Sequence, residues 1–182
     1  MAIEKWMSWE GGVDLVGVTA GSEQPNIIVH VARMVHTPVG SAPSGMVLIQ
    51  PDPSAAPALM GFISANETVG AYFGPNIFAG TPFESAPVLV GTIDIATAGD
   101  EVTASVQVAG KLIKSTLSGL GALESITRAP AEMPPFAQMV LEAPASAATL
   151  SVDGEAIDVT IPPVGITGGP AASWSPSGIN CR

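Results

Sequence analysis

Apolar residues occur along the chain in short runs that glycine and proline separate. The 182 residues include 20 glycines and 17 prolines, spread over the whole length. The runs between them are rich in valine, isoleucine and threonine, which suit strands better than helices. This pattern predicts many short strands and leaves little room for long helices.

The strongest strand signal covers residues 26–36. In strict alternation, one face of this strand carries Ile27, Val29, Val31, Arg33 and Val35. The other face carries Ile28, His30, Ala32, Met34 and His36. Because both faces are largely apolar, the strand is predicted to be central in a sheet and covered on both sides.

Turn residues predict a hairpin between residues 88–98 and 101–108. The two-residue loop Gly99-Asp100 suits a type II′ turn, in which glycine supplies the positive φ. This register places Ile93 opposite Val106 on an apolar face, and the opposite face is polar on both strands. A slip of one residue would mix the two faces, so the register is strongly specified.

A second hairpin is predicted at Asp153-Gly154, a pair that favours a type I′ turn. It places Leu150 opposite Ile157 and Ala148 opposite Val159 on one face. The apolar patterns of the two arms agree in this register as well.

The remaining segments show a less regular alternation of apolar and polar residues. Strands are predicted at 13–19, after a Gly11-Gly12 turn, and at 46–50 and 58–64, with a proline-rich loop at 51–57. Residues 69–73 and 76–78 are predicted as short segments around a Gly74-Pro75 turn. Segments 111–126 and 136–142 fit either a strand or a helix, and residues 162–182 are predicted to be an irregular Gly/Pro-rich C-terminal tail.

These segments together predict one all-β domain over residues 1–182, the number of domains expected for this length. The architecture that fits is an antiparallel β-sandwich or a β-barrel of about ten short strands, with one short helix as an option.

The charge balance excludes two classes of partner. The chain has 16 acidic and 6 basic residues, for a formal net charge of −10. Nucleic-acid binding requires cations that neutralise phosphates, and an anionic membrane surface would repel this chain. We therefore expect no nucleic acid and no membrane partner.

Charge is also scarce overall, at 12% of residues. Residues 34–83 contain only Asp52 and Glu67 as charged groups. Exposed strands usually carry charge, so this stretch is predicted to be covered by a second copy of the chain or to surround an apolar cavity. A homo-oligomer is the favoured explanation, because symmetric self-association is common.

The cysteine content and the N-terminal residues predict a cytoplasmic protein. The single cysteine, Cys181, cannot form an internal disulfide, and we interpret it as an incidental residue of the tail. The first residues have no apolar stretch typical of a signal peptide. These features predict a reducing, cytoplasmic environment.

Motifs for familiar chemistry are absent from the sequence. There is no nucleophile elbow, no phosphate-binding loop and no dinucleotide fingerprint. The two histidines, His30 and His36, would lie about 20 Å apart on one strand, too far to share a metal ion. No metal and no cofactor is expected.

Five residues remain as candidates for a site. His30 lies among apolar neighbours and is the candidate catalytic base or acid. Arg33, Tyr72, Phe73 and Phe78 are the candidate ligand-binding residues, since they combine one cation with the aromatic centre of the chain. Structural packing or ion pairing is the competing interpretation for each of them.

Two classes of function follow from this pattern. The favoured hypothesis is a β-barrel or β-sandwich that binds a small apolar ligand, either as a binding protein or as a cofactor-free isomerase or cyclase. The alternative is a non-enzymatic homo-oligomeric assembly protein, of shell, appendage or virion type, or an interaction module.

Overall fold

The computed structural model describes residues 5–131, 135–166 and 168–182, and it shows a mixed β-sheet that closes into a ring. The elements are β1 (Trp6–Gly17), β2 (Ile27–Thr37), β3 (Gly40–Ile49), β4 (Leu59–Ser64), α1 (Glu67–Ile77), β5 (Val88–Ala98), β6 (Glu101–Val108), β7 (Lys111–Leu120), β8 (Glu124–Arg128), β9 (Ala137–Val152), β10 (Glu155–Ile157) and β11 (Ala172–Cys181). The predicted all-β class with one short helix is confirmed.

The long strand β9 closes the ring. Around the ring the strands follow the order β9, β11, β1, β2, β3, β4, β5, β6 and β7, and β7 pairs with β9 again. The first half of β9 pairs with β11 and β8, and its second half pairs with β7 and β10. Pro144 stands where the two halves meet. All pairs are antiparallel except β4 with β5, which run parallel over three residues.

Both predicted hairpins are present. β5 and β6 pair in the expected register, with Ile93 opposite Val106, and Gly99 has the positive φ of +62° that the turn requires. β9 and β10 turn at Asp153-Gly154 and place Leu150 opposite Ile157. The expected pair of Ala148 with Val159 does not form, because β10 ends at Ile157.

The segment around Gly74-Pro75 is a helix, not two short segments joined by a turn. The side-chain oxygen of Asn66 accepts hydrogen bonds from the backbone N–H groups of Thr68 and Val69 and caps the N-terminus of α1. Pro75 lies inside the last turn of α1. Among the described residues no helix is long and apolar enough to cross a membrane.

The C-terminal residues are part of the sheet, which corrects the prediction of an irregular tail over 162–182. β11 lies between β1 and β9, and Cys181 pairs with Trp6 instead of lying on a free tail. β1 also continues through Gly11-Gly12, where a turn was expected. Two segments, 111–126 and 136–142, fitted either a strand or a helix, and both form strands. The first contains β7 and the start of β8, and the second contains the start of β9.

A line of bulges crosses the three strands β11, β1 and β2. These strands stay in register with one another, but the pairing shifts by one residue between β2 and β3, and again between β11 and β9. In β1, Gly11 at this level has a φ of +64°. Such an extra residue reverses which side chains face each side of the sheet.

Two hydrophobic cores lie on the two faces of the sheet. The inner core fills the ring and includes Leu15, Val29, Ile63, Val106 and Leu117. The outer core lies between the sheet and α1 and includes Ile28, Met46, Phe62, Phe73 and Phe78. The prediction that residues 26–36 form a central strand covered on both sides is confirmed.

The low charge of residues 34–83 follows from these two cores. Most of β2, β3 and β4 is buried on both faces by the chain itself, and α1 supplies the outer cover. Burial within one subunit therefore accounts for much of the missing charge. The predicted homo-oligomer stays a prediction.

A candidate binding cleft on the outer face of the sheet

A cleft lies on the outer face of the sheet, where α1 leaves β1, β11 and β9 uncovered. Its apolar wall consists of Met7, Trp9, Val35, Phe73, Ile77 and Val140. Its polar floor consists of Asp14, His30, Glu142, Ser173, Ser175 and Asn180. The cleft contains about 620 Å³ of free space, and this volume includes its open mouth.

His30 and Asp14 form a pair at one end of the cleft. The two residues lie opposite each other on β2 and β1. His30 Nδ1 is 3.3 Å from Asp14 Oδ1, within the range of an ion pair but without the alignment of a hydrogen bond. The imidazole stacks on Phe73 with ring centroids 6.3 Å apart, and the edge of Phe78 contacts it at 5.8 Å. These two aromatic rings hold the imidazole in place.

The indole ring of Trp9 lies flat against the sheet in the middle of the cleft. A Cβ atom at either Gly12 or Gly178 would overlap the indole, so both glycines give the ring the space to lie against the sheet. Its Nε1–H donates a 2.9 Å hydrogen bond to Ser175 Oγ. Because the polar edge of the indole is occupied in this way, its face is what a bound molecule would meet.

Glu142 forms a buried network on the β9 side of the cleft. Arg128 on β8 donates to Glu142 Oε2 at 2.6 Å and also to the side-chain oxygen of Gln138. Ser173 Oγ donates to Glu142 Oε1 at 3.2 Å. The charge of Glu142 is thus compensated by Arg128, and the network ties the edge strand β8 to β9 and β11.

Two buried acceptors in the cleft have no donor among the described residues. They are Asp14 Oδ1 and Asn180 Oδ1. A buried acceptor without a hydrogen bond costs free energy, so such atoms favour the binding of a donor from outside the chain.

The structure brings three of the five sequence-predicted site residues together. His30 and Phe73 line the cleft, and Phe78 contacts His30 from the outer core. Tyr72 does not line the cleft, and its buried hydroxyl has no partner in the described part of the chain. Arg33 lies outside the cleft, is largely exposed and is 3.8 Å from Glu10. The roles assigned to all five stay predictions.

Sequence reasoning missed most of the polar floor. The sequence pattern could have indicated Asp14 as a site residue, because it is one acidic residue inside the apolar run VDLVG. No such pattern indicated Ser173, Ser175 or Asn180, since the residues around them were predicted to form an irregular tail. Trp9 was not among the candidate residues, although it lies within the sheet.

His30, Asp14 and Glu142 line the cleft but are not grouped closely enough to hold a metal ion. Among the described residues, no group of three or more histidine, cysteine, aspartate or glutamate side chains is close enough to hold a metal ion.

Comparison of the chain with family models, curated proteins and solved structures gives no match. The basis for a functional proposal is therefore the geometry of the cleft itself.

Proposed function

We propose that the protein binds a small organic molecule that has an apolar body and a hydrogen-bonding head. The observation that carries this proposal is the Asp14 carboxylate, which lies beside His30 in a cleft walled by apolar and aromatic side chains. Binding sites for small molecules commonly combine such a wall with a few convergent polar groups.

The apolar wall supplies affinity and the floor supplies orientation. Covering apolar surface contributes about 25 cal/mol for each Å² removed from water. Trp9 is the partly exposed residue of this wall and offers such surface to a bound body, whereas Phe73 and Ile77 are already buried. The head group would lie near Asp14 or Asn180, whose buried Oδ1 atoms lack donors among the described residues, and a small rotation of either side chain would bring its oxygen to the ligand.

The same pair could support acid–base chemistry, as expected of a cofactor-free isomerase or cyclase. An imidazole whose Nδ1 faces a carboxylate can use Nε2 to accept or donate a proton. His30 is the residue that would transfer the proton, and the Asp14 carboxylate lies 3.3 Å from its Nδ1. Binding is the more direct consequence of the geometry, and catalysis by His30 depends on it.

The binding proposal is tested with small fragments, each an aromatic ring or short alkyl chain bearing one amine, hydroxyl, amide or carboxylate. Signals of the Trp9 indole N–H and the His30 ring are followed by NMR. Ala32 is buried in the cleft, so Ala32→Leu should fill it and abolish the response. Ala96→Leu, at an exposed position of β5, is the matched control and should respond like the original protein. If no fragment at millimolar concentration shifts these signals, the proposal is wrong.

Self-association is a second candidate, favoured by two exposed apolar residues on β9. Met139 is 60% exposed and Leu141 is 40% exposed, and they lie on one face two residues apart. Exposed apolar neighbours of this kind often mark an interface between proteins. Sedimentation should show a dimer or larger species that Met139→Lys with Leu141→Lys converts to a monomer, whereas Val90→Lys should have no effect. A protein that stays monomeric at about 100 μM has a dimer dissociation constant above that concentration. This result would exclude the candidate.

A further inference from the structure

We propose that the head group recognised in the cleft is a cation, an organic ammonium, placed beside Asp14. This inference rests on the proposed binding function and specifies the chemical class of its ligand. It follows from the charges, the hydrogen-bond acceptors and the Trp9 ring that line the cleft.

The charges lining the cleft are negative. Asp14 and Glu142 are its two carboxylates, and no lysine or arginine is among its described lining residues. Arg128 binds Glu142 from behind and compensates its charge. Asp14 has no lysine or arginine within 4 Å in the described ranges, and only His30 faces it. Asp14 therefore lacks the guanidinium partner that compensates Glu142.

The unpaired polar atoms of the cleft are acceptors. Asn180 is 4% exposed, and its Oδ1, like Asp14 Oδ1, meets no donor from the described residues. An ammonium group carries N–H donors and no acceptor, whereas a carboxylate carries acceptors only. A ligand carboxylate would therefore add repulsion at Asp14 and satisfy neither atom.

The two ends of the cleft differ in charge. Asp14 and Asn180 lie seven residues apart along the paired strands β1 and β11, or roughly 20 Å. The Asn180 end lies next to Gln138, which Arg128 contacts, so a cation is less favourable there. The ammonium belongs at the Asp14 end, with its apolar body extending over Trp9.

Trp9 lies in the middle of the cleft, where its ring can cover the apolar body of the ligand. The formal net charge of −10 also raises the local concentration of cations around the protein. An anionic ligand would be repelled by this net charge.

The test compares three probes of one shape: benzylammonium, benzyl alcohol and benzoate. Affinities for the unaltered protein are measured by NMR titration at low ionic strength. Benzylammonium should bind about ten-fold more tightly than benzyl alcohol, and benzoate should bind most weakly. Equal or tighter binding of benzyl alcohol or benzoate would overturn the ammonium inference and leave the proposed binding function standing. Failure of all three probes to bind, together with failure of the wider fragment set, would overturn both.

A pair of variants locates the charge that matters. Asp14→Asn keeps the side-chain shape, removes one negative charge, and should bring benzylammonium to within about three-fold of benzyl alcohol. Asp94→Asn removes one charge at an exposed position of β5 and should keep the ten-fold difference. An unchanged preference in Asp14→Asn would contradict the placement beside Asp14. Because the three-probe comparison uses the unaltered protein, a variant that fails to fold does not remove the test.

Discussion

Replacing Arg128 by methionine should destabilise the protein strongly, because it leaves a buried carboxylate without its cation. The Glu142 side chain is 8% exposed and that of Arg128 is 21% exposed. After the substitution, Glu142 keeps a single side-chain donor among the described residues, Ser173 Oγ at 3.2 Å. Removing one partner of a buried ion pair typically costs 3–5 kcal/mol, and partial exposure of Arg128 lowers the expected cost to about 3 kcal/mol.

The double variant Arg128→Met with Glu142→Leu should be more stable than Arg128→Met alone. Removing both charges eliminates the unpaired carboxylate, and apolar side chains can fill a similar volume. We expect the second substitution to restore about 1–2 kcal/mol of the free energy of unfolding. Ser173 loses its acceptor in the double variant, which limits the recovery.

The assay is urea unfolding followed by tryptophan fluorescence, with the two single variants and the double variant compared at one pH. A loss of about 3 kcal/mol corresponds to a fall of roughly 6–12 °C in Tm for a chain of this size. Lys114→Met, on β7 and exposed, removes one cation elsewhere and should change stability by less than about 0.5 kcal/mol. The reasoning is refuted if Arg128→Met costs less than 1 kcal/mol, or if the double variant is less stable than Arg128→Met.

Three further substitutions test other parts of the fold. Phe62→Ala removes a fully buried ring between the sheet and α1 and should lower the free energy of unfolding by about 4 kcal/mol in urea titrations. Asn66→Ala removes the cap of α1 and should cost about 1 kcal/mol, whereas Asn66→Asp should retain most of the stability. Hydrogen bonds from the Ser54 side chain and backbone N–H hold the pKa of Asp52 below its ordinary value of 3.8. Ser54→Ala should raise that pKa in NMR titrations; the hydrogen bonds favour the folded state above about pH 4, and this contribution is lost as the pH falls through the folded-state pKa.

The features that the sequence predicted well are those encoded locally. At Gly99-Asp100 the turn chemistry and the alternation of both arms select one register, and the structure has that register. At Asp153-Gly154 the turn is also present, but the arm is shorter than the pattern indicated. His30 and Phe73, which line the candidate cleft, could be proposed because a histidine in an apolar strand and a cluster of aromatic residues are visible without knowledge of the topology.

Several errors arose where proline was treated as the end of an element. Pro75 lies in the last turn of α1, and Pro43, Pro144 and Pro176 all lie within strands. Proline is tolerated in sheets at bulges and at edges, where its missing N–H is not needed. Pro43 and Pro176 both stand at register shifts, and Pro144 stands where β9 changes partners. Only the pairing of distant strands reveals these positions.

The line of bulges explains why strict alternation could not find the candidate cleft. Before the bulge in β1, Met7 and Trp9 face the cleft at odd positions, and after it Gly12 and Asp14 face the cleft at even positions. The same reversal in β2 moves Val35 to the cleft side. If the same sequence alternated strictly without a bulge, Trp9 and Asp14 would lie on opposite faces of β1, and the Trp9 ring and the Asp14 carboxylate could not contact one molecule. The line of bulges in β11, β1 and β2 therefore brings the residues of the cleft onto one face of the sheet.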